Sequence, residues 1–261
     1  MSSPAAAPPP TASPPPAPAP LLRRVRAQAR FETGTLLRNG EQLLVALVLP
    51  SMALFGLALT NVPDLGHDRI GVVVPGVLAL AVISTAFTGQ AISTGFDRRY
   101  GVLRLLGVTP LGRSGLLLGK AIAVLTVEGI QFIVLAALAV ALGWRPALGG
   151  LPAVVFFWLL GTWVFVALAL LLAGLLRAEA VLAVANLVWV VLLGVGGVLF
   201  PPQLMPAAAR PVVELLPSAG LADGLRGALG TGSFDAGAAL VLLMWGLLAT
   251  AGALRAFRWS D

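Results

Sequence analysis

Six apolar runs, each close to twenty residues or longer, alternate along the chain with short segments that carry most of its charges. They lie at about 42–60, 70–93, 117–142, 151–176, 181–200 and 236–254. An α-helix rises 1.5 Å per residue, so about 20 residues cross a hydrocarbon layer of about 30 Å. Each run therefore predicts a membrane-spanning helix, and the chain reads as an all-α membrane protein with six spans. The fourth and fifth runs are separated only by Arg177, Ala178, Glu179 and Ala180, which predicts a tight helical hairpin. The third is long enough to tilt or to project from the bilayer.

The remaining segments fit around these spans. Residues 1–20 are a Pro/Ala tract that cannot pack a core and has no apolar signal-peptide region, so they predict a disordered cytoplasmic tail. In 21–41, Leu22, Val25, Ala29 and Leu36 recur at helical spacing beside Arg23, Arg24, Arg26 and Arg30. That pattern predicts an amphipathic interfacial helix, or simply the positive flank of the first span. Residues 42–261 form the six-span domain. Between the fifth and sixth spans, Pro201, Pro202, Pro206, Pro211 and Pro217 divide apolar pieces too short to cross. Two short helices that re-enter the outer leaflet are expected there, or an interfacial loop that caps the bundle.

Composition agrees with this reading: 58% of residues are hydrophobic and 11% charged, and the mean hydropathy is +0.96. The basic balance does not point to nucleic acid, because the arginines sit beside apolar runs, where they set topology. With both termini inside, the cytoplasmic segments hold thirteen of the 17 Lys and Arg residues. The outer segments hold Arg69, Arg145, Arg210 and Arg226, together with Asp64, Asp68, Glu214, Asp223 and Asp235. There is no cysteine, and His67 is the one histidine, so thiol chemistry, cysteine metal sites and histidine clusters are excluded.

Candidate chemistry is sparse. Ser114 to Ala121 has the Gly-Lys of a phosphate-binding loop, but it has Ser114 where the turn needs glycine and Ala121 where Mg²⁺ needs a hydroxyl. Gly115 and Gly119 read better as a small-residue pair that lets helices approach. No span carries a serine beside a histidine, and none carries two acids, so catalytic and metal sites are not expected. Glu128 lies near the middle of the third span, where a charge costs about 2.5–3.5 kcal/mol on insertion scales, and Gln131 follows three residues on. With Asn186 they are candidates for a polar substrate path; the other reading of Glu128 is a protonated or hydrogen-bonded group within the bundle. Gly194, Gly196 and Gly197 are expected to thin the fifth helix for packing.

One stretch resembles a known family. Phe96 to Lys120 is similar to the cytoplasmic loop of type-2 ATP-binding cassette (ABC) exporter permeases, which reads roughly Glu-Arg-Glu-x-Gly-Thr-Leu, a leucine, then Thr-Pro-Leu. The matching residues are Asp97, Arg98, Gly101, Leu103, Leu106, Thr109, Pro110 and Leu111. Arg99 stands where the family has its second acid, and Val102 where it has threonine. The order of elements follows the family layout as well.

The resemblance implies a coupling helix seated on a separate ATPase subunit, with Asp97, Arg98, Arg99, Gly101, Leu103, Leu106, Thr109 and Pro110 as coupling residues. It further implies a second permease copy or paralogue, two ATPase subunits that hold ATP and Mg²⁺, no cofactor on this chain, and outward transport of drugs, lipids or glycans. A bacterial plasma membrane and contact with its lipids are implied too; the Ala, Gly, Pro and Arg excess suits a GC-rich bacterial genome. As a single helix, Asp97 to Gly107 would be about 16 Å long, with Val102, Leu103 and Leu106 as its apolar face and Arg98, Arg99 and Arg104 as its polar one. Two other functions fit six spans: a scaffold or sensor that recruits a cytoplasmic partner, and an ion-coupled transporter centred on Glu128.

Overall fold

The computed structural model describes residues 19–38, 40–60, 64–65, 68–102, 105 and 109–256. Residues 1–18, most of the expected tail, lie outside these, as do His67, Leu103, Arg104 and Leu106. Among the described residues every regular element is helical and there is no strand.

The helices are α1 (Leu21–Arg38), α2 (Gly40–Leu59), α3 (Arg69–Val82), α4 (Gln90–Arg99), α5 (Gly112–Ala141), α6 (Leu151–Leu175), α7 (Ala178–Val195), α8 (Arg210–Glu214), α9 (Pro217–Gly230) and α10 (Ala236–Ala256). A π-helical stretch, Ile83–Gly89, joins α3 to α4. Among the described residues, five segments are long and apolar enough to cross a membrane: Arg69–Arg99, Leu118–Ala141, Leu148–Leu175, Ala178–Val195 and Ala236–Arg255. Helix α2, at the first predicted span, contributes a shorter apolar stretch, Ala46–Leu59.

The side-chain pattern explains why these helices need a lipid solvent. On α10, Leu240, Leu243, Met244, Leu247 and Leu248 are exposed, while Ala239, Leu242, Ala249 and Ala253 are buried. Large apolar groups thus face outward and mostly small ones inward, the reverse of a helix on a soluble core. Water would not tolerate that outer surface, whereas hydrocarbon does, and small residues inside let helices approach closely. Helix α6 is the hub, since α4, the π-helical stretch, α9 and α10 all pack against it. Buried Phe157, Leu160, Val164 and Phe165 supply its share of the core.

Helix α1 lies along the first half of α5 and buries Val25 and Ala29 there. Gly119 makes this possible, because a Cβ at that position would meet the Gln28 side chain and come 3.4 Å from the Ala29 backbone nitrogen.

Two expectations change. The fifth span stops at Val195 instead of reaching residue 200, and its glycines end the helix instead of thinning it: Gly197 takes φ +72. The carbonyls exposed by this break are closed by α9. Ser218 donates to Gly196 O at 2.7 Å, while Arg226 donates to Gly197 O at 3.1 Å and to Val198 O. Asp223 holds Arg226 at 2.6 Å; burial raises its carboxyl above the ordinary range, against the pull of that guanidinium. The proline-rich segment therefore holds two helices, α8 and α9, and α9 packs on α3, α6 and α10.

Replacing Gly119 by leucine is expected to push α1 off α5. Overpacking of this kind costs about 1–3 kcal/mol, and it should appear as a lower melting temperature of the purified protein in detergent, with Gly34→Leu, at a position open to space, as the control.

Candidate functional site

The chemistry gathers at one end of the bundle, where α1, the end of α4, the start of α5, the end of α6 and the start of α7 meet. Arg98 is its anchor. Helix α6 stops at Leu175 because Leu176 turns to extended backbone (φ −113, ψ 158), which leaves carbonyls without amide partners. The Arg98 guanidinium fills that gap: Nη1 donates to Ala173 O at 2.6 Å and to Gly174 O at 3.1 Å, and Nη2 donates to Leu176 O at 2.7 Å. A cation at a helix C-terminus also meets the negative end of the helix dipole. Arg98 is only 8% exposed, so its charged group serves the interior instead of the polar surface expected of it. Arg99, its neighbour, pairs with Glu179 of α7 in the open.

Beside Arg98 is a three-charge cluster. Lys120 Nζ donates to Asp97 Oδ2 at 2.8 Å and lies 3.4 Å from Glu32 Oε1. The Gln28 amide braces Glu32 from one turn earlier at 2.9 Å. The cluster joins α1, α4 and α5 through a lysine that is 7% exposed. Lys120, the chain's one lysine, is therefore a structural hub that sequence reading left among the topology charges.

The loop that follows departs from the expected rod. Helix α4 ends at Arg99, the chain turns at Tyr100, and Gly101 adopts φ +71. That left-handed conformation is cheap only for glycine. Asp97 to Gly107 is thus broken at Gly101, with Asp97, Arg98 and Arg99 forming the last turn of the preceding helix. Tyr100 is 70% and Leu105 69% exposed, while Pro110 is exposed and Thr109 half-buried. The outward apolar surface of the described loop is therefore Tyr100 and Leu105, which sequence reading passed over.

A cavity of about 570 Å³ rises from the three-charge cluster. Its polar wall comes from the π-helical stretch and α4: Ser84, Thr85, Thr88, Gln90 and Ser93. Asn186 and Trp189 of α7 face this wall, and Leu36, Leu49 and Val127 supply apolar surface. Thirteen residues of helix separate Ser84 from Asp97, so the cavity reaches roughly 20 Å along the bundle. π-Helical turns inside α-helices concentrate at functional sites, and this one aligns three hydroxyl residues on the cavity. Ser84 donates to Leu80 O at 2.8 Å and accepts from Trp189 Nε1 at 2.7 Å. The Thr88 hydroxyl is buried with no hydrogen-bond partner.

The three expected path residues separate. Asn186 lines the cavity and donates to Leu182 O at 2.9 Å. Gln131 stands behind the wall, accepting from Thr85 Oγ1 at 3.0 Å and donating to Ala46 O at 2.9 Å, so it ties α5 to the π-helical stretch and α2. Glu128 turns to α6 instead. Its Oε2 accepts from Trp158 Nε1 at 2.7 Å and lies 2.6 Å from Thr162 Oγ1, away from the cavity. The signal for the cavity was present in the sequence as Ser84, Thr85, Thr88, Gln90 and Ser93, a run of hydrogen-bonding side chains within one apolar span.

Among the described residues no three acids or histidines cluster to hold a metal. The family model for the ABC-2 type transporter matches residues 23–229, a stretch that contains the cavity, the charge cluster and the loop. No curated protein sequence matches the chain.

Two outcomes follow. Arg98→Met strands three carbonyls in the bundle and should lower stability by about 3 kcal/mol, whereas Arg99→Ala, which loses a surface ion pair, should shift it by less than about 1 kcal/mol; thermal unfolding in detergent compares them. Glu128→Gln should keep the contacts to Trp158 and Thr162 and unfold near the parent temperature, while Glu128→Leu should lose about 1–3 kcal/mol by leaving the buried indole N–H unpaired.

Proposed function

Because the chain belongs to the ABC-2 type transporter family and is a membrane permease component of an ABC transporter, we propose that it is the transport subunit of an ATP-driven exporter. It works as a pair with an identical or related permease and with two ATPase subunits, in a bacterial plasma membrane with both termini in the cytoplasm. Helix α2 is the first of six spans, and α8 and α9 re-enter the outer leaflet. The ATPase holds ATP and Mg²⁺, which this chain does not bind. Cargo enters the cavity between the π-helical stretch and α7.

One observation carries this reading: the loop after α4 is exposed on one side and tied into the bundle on the other. Tyr100 and Leu105 offer an apolar surface to a partner. One turn away, Asp97 binds Lys120 of α5, which also meets Glu32 of α1, and Arg98 binds the end of α6. Force on the loop therefore reaches three helices through short polar contacts instead of flexible chain. ATPase closure presses the loop, the end of α4 moves with α5 and α6, and the cavity beside them changes its opening. This is a rigid-body transition, in which packed elements switch between discrete arrangements.

Two kinds of variant test the proposal in vesicles holding the permease and its ATPase. Leu105→Asp should abolish co-purification with the ATPase while the permease still inserts and elutes as the parent does. Asp97→Asn should leave the assembly and its ATP hydrolysis largely intact but lower ATP-dependent efflux at least tenfold. Glu128→Gln should retain efflux. Undiminished efflux with Leu105→Asp, or loss of efflux confined to Glu128→Gln, would sink the coupling role in favour of the ion-coupled one.

A further inference from the structure

The cavity carries information about its cargo that the family assignment does not. Among the described residues three ionisable side chains line it, Glu32, Asp97 and Lys120. Two carboxylates against one ammonium leave this lining a formal charge of −1 at the end nearest α1; the Arg98 guanidinium is turned to the α6 carbonyls and is not part of the lining. Lys120 is engaged by both acids, at 2.8 Å and 3.4 Å, so the excess charge stays on the carboxylates. Asp97 receives Lys120 at Oδ2, and Glu32 receives both Gln28 and Lys120. A net charge beside apolar walls is poorly solvated and favours an ion of opposite sign. An anionic guest would add like charge to this end.

The opposite wall is uncharged but has hydrogen-bonding capacity to spare. Gln90, on the lining, is 5% exposed, and its amide offers both a donor and an acceptor. Ser93 adds a hydroxyl on the same wall. Polar groups shielded from bulk water need a partner, so this wall favours a guest with hydrogen-bonding groups of its own. Leu36, Leu49 and Val127 leave the rest of the volume apolar.

Resting on the reading of this cavity as the cargo site, we infer that the cargo is an amphipathic organic cation. Its amine or ammonium group sits against Asp97 and Glu32. Hydroxyl or carbonyl groups on its middle meet Gln90, and its apolar body lies along Leu49 and Val127. Free fatty acids and other anionic amphiphiles are disfavoured by the charge at the cavity end.

Three matched fluorescent probes test this with the full-length permease in phosphatidylcholine nanodiscs, empty nanodiscs serving as background. The probes are an undecyl chain with a dansyl group at one end and, at the other, a free primary amine, its N-acetyl amide or a carboxylate. The expected result is saturable binding of the amine at least tenfold tighter than either of the others. Glu32→Gln, which keeps the shape of the side chain, should reduce that preference at least fivefold by weakening the amine more than the N-acetyl amide. Gln90→Leu should weaken an amine probe bearing a mid-chain hydroxyl more than the plain amine.

Equal or tighter binding of the amide or the carboxylate would overturn the cationic class while leaving the cavity as cargo site. Saturable binding of none of the three by protein that elutes as a folded species would overturn the cargo site itself, and the inference with it. The comparison among probes uses the unaltered protein, so it decides the question even where a variant fails to fold.

Discussion

A helix that ends inside an apolar bundle exposes carbonyls that neither water nor lipid can satisfy. This molecule meets that constraint twice with arginine. Arg98 closes the end of α6 with three hydrogen bonds, and Arg226 closes the end of α7 together with Ser218. The guanidinium suits the task because it presents several donors in one plane, stays charged and is more weakly hydrated than an ammonium. Each arginine comes from a different element than the helix it caps, so each cap is also a tie between elements. The hairpin of α6 and α7 is in this way gripped from both sides, by α4 at one end and by α9 at the other.

Much of this fold was legible in the sequence because lipid imposes a simple rule. Apolar runs of the right length became helices at nearly the predicted places, Leu118–Ala141 and Ala236–Arg255 among them. The misplacements have local causes. Gly196 and Gly197 looked like thin spots in a longer helix, but a positive φ at Gly197 ends it, and composition cannot tell a packed glycine from a terminating one. Gly101 misled in the same way, breaking what the family pattern drew as one rod.

The candidate site was less legible, because side-chain direction decides it. Arg98 beside the membrane surface reads equally well as a contact for a partner or as a cap for a neighbouring helix; the carbonyls it binds belong to residues 75–78 positions away in sequence. Glu128 and Gln131 are three residues apart, which on an α-helix is a rotation of about 60°. That rotation is enough to send one to α6 and the other to α2 and the π-helical stretch. The hydroxyl residues of the cavity wall were overlooked for the opposite reason: serine and threonine are common in membrane helices, where each can donate to a carbonyl one turn back. Ser84 does this. Only the wide turns of the π-helical stretch, which set Thr85 and Thr88 beside it on one cavity, distinguish this run from ordinary helix.

The charge cluster links the cap to the cavity, and it constrains how the subunit can move. Breaking one member out of a buried ion group costs about 3–5 kcal/mol because the partner's charge is left unpaired. Lys120 is nearly buried and faces two acids from two helices, so separating α1, α4 and α5 at this end would incur that penalty. Moving them together would not. With Arg98 adding the end of α6, the low-cost displacement carries α1, α4, α5 and α6 as one body. Helix α7 packs on α4 at this end through Ala178 and Val181 beside Gly95, and the ion pair that joins the two, Arg99 with Glu179, is exposed and worth little in water. A ready place for the cavity to open is the seam between the π-helical wall and Asn186 of α7, where among the described residues the side-chain hydrogen bond across is from Trp189 to Ser84. A guest bound at Gln90 would sit beside that seam, which places cargo recognition and the moving contact within the same few residues.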